Sequence, residues 1–113
     1  MYSFPVEVGE NIVKKDLVNL QCDGEAFSGA LYLTTQRLVF VGYLLDITHK
    51  YMEELPLTHI SEITRGKSLF IIPNVLKVQT IQDRKLKFVV RGSGDWLVEI
   101  NKQKQAQIAS ATM

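Results

Sequence analysis

Between Gly29 and Phe40 the chain reads Gly29-Ala30-Leu31-Tyr32-Leu33-Thr34-Thr35-Gln36-Arg37-Leu38-Val39-Phe40, two strand-like runs with only Thr35-Gln36 between them. In the first run Phe27, Gly29, Leu31 and Leu33 alternate with Ala30, Tyr32 and Thr34, which predicts one apolar face and one mixed face. The second run, Arg37 to Tyr43, is rich in β-branched and aromatic residues, with Leu38 and Phe40 on one face and Val39, Val41 and Tyr43 on the other. Two strands this close in sequence pair antiparallel at little cost in loop entropy. A hairpin so apolar must be covered, and that requirement sets the class of fold.

The flanking sequence supplies the cover. Val18, Leu20 and Cys22 alternate with Asn19 and Gln21, and Asp23-Gly24 is a tight-turn dipeptide leading into the strand from Glu25. Asp46 to His49 reads as a loop, and Tyr51 to Leu55 as a strand closed by Pro56. Leu57, Ile60 and Ile63 have the spacing of a helical turn, but Ile60 to Gly66 reads better as a short strand. The apolar run Ser68 to Ile72 is broken by Pro73-Asn74, and Val75 to Ile81 follows as a strand with Leu76, Val78 and Thr80 on one face. Gln82-Asp83 makes a turn, after which Leu86, Phe88 and Val90 point inward and Lys85, Lys87 and Arg91 outward. The period then changes: Ser93 or Asp95 caps a helix starting around Trp96, with Trp96, Leu97 and Ile100 as its apolar patch. Six to seven strands and one C-terminal helix predict a mainly β fold, a bent antiparallel sandwich or partly open barrel whose open end the helix plugs.

A chain of 113 residues, 46% hydrophobic and 22% charged, is the size and composition of one globular domain. Its single cysteine, Cys22, forms no intramolecular disulfide, and a reducing cytoplasmic setting is the simplest reading. The first residues lack a basic stretch followed by an apolar run, and no apolar stretch approaches the ~20 residues that span a bilayer, so membrane contact is expected to be peripheral. The net charge of +1 hides an asymmetry. Residues 1–62 carry four bases against nine acids, and residues 63–113 nine bases against three. Such a split marks a surface for an anionic partner, or is cancelled when folding brings the halves together.

The run Gly29 to Phe40 resembles the signature hairpin of the GRAM-domain family. Leu55-Pro56-Leu57 with Ile60 and Ile63, Pro73-Asn74 with Leu76 and Val78, Phe88-Val89-Val90, and Trp96 to Ile100 resemble its later elements, so the likeness covers about residues 10 to 102. It extends to single-domain bacterial proteins of the same fold. The resemblance implies a pleckstrin-homology-like domain over residues 1–113, with 103–113 a polar helix end or tail, and a non-catalytic binding module that meets a protein or, weakly and peripherally, a membrane lipid. Phosphoinositide-binding members of this fold place paired bases around the loop between the first two strands. Here that loop, Cys22-Asp23-Gly24-Glu25, carries two acids and no base, which argues against that mode.

Nothing in the chain groups into a catalytic or metal-binding constellation. His49 and His59 stand apart, Cys22 alternates like a core residue, and Gly92-Ser93-Gly94-Asp95 lacks the lysine of a phosphate loop. No enzyme, metal or cofactor is expected. Arg37 is either a ligand clamp or a brace that pairs with a carboxylate such as Glu53 or Glu54, and its place at the opening of a strand favours the brace. The expected partner-binding residues are Arg65, Lys67, Leu69 and Phe70, where two cations precede an apolar run, helped by Lys85 and Lys87 on a basic strand face. The alternative is that the basic C-terminal half meets a nucleic acid or other anionic partner. The bases lack interleaved aromatics and the pI is 7.8, which argues against nucleic acid. A free sheet edge would allow a homo-oligomer.

Overall fold

A computed structural model of the chain describes residues 4–44, 50–68 and 72–111. The described chain forms seven strands, β1 (Ile12–Cys22), β2 (Glu25–Thr34), β3 (Arg37–Leu44), β4 (Lys50–Pro56), β5 (Ile60–Ser68), β6 (Ile72–Thr80) and β7 (Lys85–Val89), then one helix, α1 (Ser93–Ala111). They make one antiparallel half-barrel with the order β4-β3-β2-β1-β7-β6-β5, closed by α1. The expected fold class is therefore the observed one. The loop expected at Asp46 to His49 lies outside the described residues.

Turn chemistry sets the registers. Asp23 and Gly24 both take positive φ, 51° and 79°, as a two-residue turn matched to strand twist requires. The β6–β7 turn is one residue longer than Gln82-Asp83 suggests: Ile81, Gln82 and Asp83 form the loop, Asp83 has φ 63°, and Thr80 bonds to Arg84 across it. Leu57–His59 makes one turn of 3-10 helix before β5, so the helical spacing and the strand reading both hold, one after the other. Pro56 ends β4, an edge strand, where a missing N–H leaves no gap in the ladder. Pro73 does not break its segment as the sequence suggests. β6 already starts at Ile72, and the register with β5 shifts there, between Gly66 and Ser68. The helix starts at Ser93 rather than near Trp96.

The main core lies inside the half-barrel, where Val18, Leu20, Leu31, Leu38, Phe40, Leu76, Leu86 and Phe88 meet Trp96 and Ile100 of α1. Trp96 is fully buried and its indole N–H donates to Asp16 Oδ2 at 2.7 Å, which satisfies its one polar atom. The opposite face of the central hairpin is buried as well. Ala30, Tyr32, Val39 and Val41 form a second cluster, with Phe4 edge-on to Tyr32 at 4.9 Å between ring centroids. β2 and β3 thus carry apolar cover on both sides, where the sequence predicted a mixed outer face. Gly29 and Gly42 face each other across them, and a methyl on Gly29 would stand 2.1 Å from the Val41 carbonyl oxygen.

Arg37 is the brace, not a clamp. Its Nε and Nη2 donate to both oxygens of Glu10, at 2.7 and 2.9 Å, its Nη1 pairs with Glu54 at 3.0 Å, and Nη2 also donates to the Pro5 carbonyl at 2.8 Å. Thr34 Oγ1 donates to Glu10 at 2.6 Å and accepts from the backbone N–H groups of Gln36 and Arg37. Glu54 was one of the expected partners; Glu10, buried and 27 residues away, was not foreseen. The same turn bonds to Asn11, to Leu57 and to Gln107 of α1, so the polar end of the helix is tied down too.

The Glu10 carboxyl is held down to about 2 from its usual 4.5, chiefly by the hydrogen bond from Arg37, and by Thr34 and the Glu7 N–H, against the upward pull of burial. A carboxyl lowered by folding stabilises the fold above its unfolded value and loses that contribution as pH falls toward the folded value. Urea unfolding should show stability present above about pH 5 and falling toward pH 2. Glu10→Gln should remove most of this slope and cost about 3 kcal/mol at neutral pH, since it leaves a buried guanidinium poorly compensated. In the core, Trp96→Ala should cost about 3–5 kcal/mol by the same measurement. Gly29→Ala should cost about 1–3 kcal/mol from overpacking against backbone, and an unchanged midpoint would mean that the two strands are not so closely apposed.

Candidate functional site

The two turns at one end of the sheet neutralise their charges. Arg84, just after the β6–β7 loop, pairs with Glu53 on β4 and lies 3.6 Å from Asp23 in the β1–β2 turn. Glu53 also accepts from Tyr51 Oη at 2.7 Å, and Tyr51 Oη stands 3.8 Å from Cys22 Sγ. Burial, with the neighbouring carboxylate, pushes the Tyr51 hydroxyl above its ordinary range, and burial raises the Cys22 thiol, so neither group is activated. Through Arg84, folding does bring together charges from the acidic and basic halves of the chain.

The lysines of the β6–β7 hairpin are treated differently. Leu86 and Phe88 point into the core, which leaves Lys85 and Lys87 on the outer face, as their alternation predicts. Register places Lys77 of β6 directly opposite Lys87, and Gln79 opposite Lys85. A shallow pocket of about 400 Å³ is lined by Glu62, Thr64, Lys77, Gln79, Lys85 and Lys87, among others. Among the described residues none of these three lysines has a carboxylate within 4 Å. Lys77 was not read from sequence as part of a site; counting the β6–β7 register from a three-residue loop would have paired it with Lys87.

The other expected partner-binding residues do not join this group. Arg65 shares a face with Ile63 and Leu76, the inner one, and reaches the start of α1, where its Nε donates to Ser93 Oγ at 3.4 Å beside Gly94. It is thus on the opposite side of the sheet from Lys85 and Lys87. Leu69, Phe70 and the side chain of Lys67 lie outside the described residues. Lys14 and Lys15 sit over the rings of Trp96 and Tyr32 at 5.5 and 5.3 Å. Among the described residues no group of histidine, cysteine and carboxylates has the geometry to hold a metal ion, and no helix is long and apolar enough to cross a membrane. His59 closes the 3-10 turn on the surface, and His49 is outside the described residues.

Comparison with known proteins agrees with this architecture. The C-terminal domain of an unknown protein from Leishmania infantum superposes with a TM-score of 0.71 at 16% identity, over 87% of each chain. The Vps36 N-terminal PH domain superposes with a TM-score of 0.63 at 18% identity, over 96% of this chain and 87% of that one. At such identities the likeness establishes the pleckstrin-homology-like fold alone. No curated protein matches the sequence. The sequence profile of the GRAM domain matches residues 2–109, nearly the whole chain, and with the half-barrel, the Thr34–Arg37 turn and the closing helix in place the chain belongs to the GRAM-domain family.

Proposed function

We propose that this chain is a non-catalytic binding module that holds to an anionic membrane surface, weakly and peripherally, through the outer face of β5, β6 and β7. GRAM and PH-like domains are typically binding modules for lipids or proteins. The observation that carries the reading is the trio Lys77, Lys85 and Lys87, grouped on one exposed face with no carboxylate partner among the described residues. The acidic β1–β2 turn argues against docking by that loop, so the contact moves to the sheet face beside it. Arg65 faces the other side of the sheet and does not share this contact. A cytoplasmic location fits a chain whose lone cysteine is buried and unpaired.

Each lysine near an anionic bilayer contributes about 1 kcal/mol, so binding should be salt-sensitive. Co-sedimentation with phosphatidylserine-containing vesicles should be seen at low salt and lost at high salt, and Lys85→Glu with Lys87→Glu should weaken it at least ~10-fold. Absence of binding at low salt would remove the membrane reading and leave a protein partner. Binding that survives high salt would point to apolar insertion in place of the lysine face.

A further inference from the structure

The sheet registers arrange more than a loose cluster. Thr64 of β5 pairs with Lys77, Lys77 with Lys87 of β7, and Lys87 with Gln21 of β1. These four polar side chains stand abreast on the outer face, across four strands, in a row roughly 14 Å long at the usual strand spacing. All four can donate hydrogen bonds, and the two central ones are cations. Like charges directly opposite on neighbouring strands destabilise a sheet. In this structure Lys77 lies back over Gly66, where a methyl would stand 2.8 Å from its Cε, so its stem is drawn toward β5 rather than toward Lys87. The row on one side holds Glu62, Gln79 and Lys85; the row on the other is Gly66, Val75, Val89 and Asn19, largely apolar.

We propose that the row Thr64–Lys77–Lys87–Gln21 is a seat for a phosphomonoester group, which rests on the anionic-surface reading and narrows it. Lys77 and Lys87 rise from positions directly opposite each other across one strand gap, and a dianion placed between them draws both flexible ammonium groups onto it. A phosphomonoester carries close to two charges at neutral pH, and a phosphodiester carries one. The flanking Thr64 hydroxyl and Gln21 amide supply neutral donors to the remaining oxygens. Lys85 adds a third cation one row away, in the row that also holds Glu62. The phosphate can belong to a lipid headgroup or to a soluble metabolite. The chemistry of the seat is the same for both.

The dianion gives the seat a pH signature. The phosphomonoester takes up its second proton near pH 6, so binding weakens between about pH 7.5 and about pH 5.5. Besides Lys77 on β6 and Lys87 on β7, the charged groups around the seat are Lys85 on β7, Glu62 on β5, Asp23 in the β1–β2 turn and Glu25 at the start of β2. The window is the one in which the ligand's own charge changes.

The test compares vesicles carrying phosphatidic acid, a monoester, with vesicles carrying phosphatidylglycerol, a diester, at matched surface charge. A parallel amide NMR titration uses soluble glycerol phosphate. The expected result is about fivefold tighter binding to phosphatidic acid at the higher pH, with the preference lost at the lower pH. Lys77→Gln and Lys87→Gln should each weaken binding about fivefold, Lys102→Gln on the exposed side of α1 should not, and the two seat variants should unfold at the same or higher urea concentration than the parent. Equal binding to both vesicles, with Lys77→Gln no worse than Lys102→Gln, overturns the seat and leaves the anionic-surface reading standing. Shifts at Thr64, Lys77, Lys87 and Gln21 with glycerol phosphate, without vesicle binding, assign the seat to a soluble phosphate and overturn the membrane reading. Neither shifts nor vesicle binding overturns both.

Discussion

Arg37 is a buried cation, and a buried cation must have all its partners in place. Its guanidinium draws on the N-terminal arm through Pro5 and Glu10, and on β4 through Glu54; Thr34 at the end of β2 completes the Glu10 carboxylate. Removing a charge from water is expensive, and geometry this complete is what makes the arrangement tolerable. A pair of this kind adds little net stability over an apolar substitute. It ties this register of the hairpin and this path of the arm to the same pair of charges. With the arm fixed, Phe4 lies against Tyr32, and the outer side of β2 and β3 becomes core. The short polar turn that is most distinctive in the sequence is thus the point where arm, hairpin, 3-10 turn and helix are joined.

Much of this was legible in the sequence because alternation reports burial directly. The inward sets Val18, Leu20, Cys22 and Leu86, Phe88, Val90 were readable, as was the role of Trp96, since each signal is local. Arg37 as a brace was readable too, because its charge at a strand opening demands a carboxylate. Its main partner was not. Glu10 lies outside any periodic segment, and nothing in residues 4–11 announces that they cover a sheet. The second core was hidden for a related reason: Ala30, Tyr32, Val39 and Val41 read as a solvent-tolerant face until the arm that covers them is known.

The lysine pair escaped for a reason of one residue. A two-residue turn at Gln82-Asp83 would pair Lys77 with the core residue Phe88, which the pleat forbids. Asp83 in the left-handed region, with Thr80 Oγ1 accepting from the N–H groups of Gln82 and Arg84, adds the residue that restores parity and sets lysine against lysine. Asp tolerates this conformation because its short side chain can bond locally. Register, not composition, creates the charged row.

Arg84, Lys85 and Lys87 are near neighbours in sequence, yet only Arg84 is neutralised. It sits at the foot of the loop, within reach of Glu53 and Asp23, while the strand turns the lysines to the outer face. This division has an electrostatic consequence for the neighbouring turn. Asp23 shares its charge with Arg84, and Glu25 stays exposed at the start of β2, near Lys85 and Lys87 but within 4 Å of neither. The lysines stand about one row along the sheet, on strands whose inward side chains the core holds in fixed register. A site built on paired strands is positioned more sharply than one built on a loop.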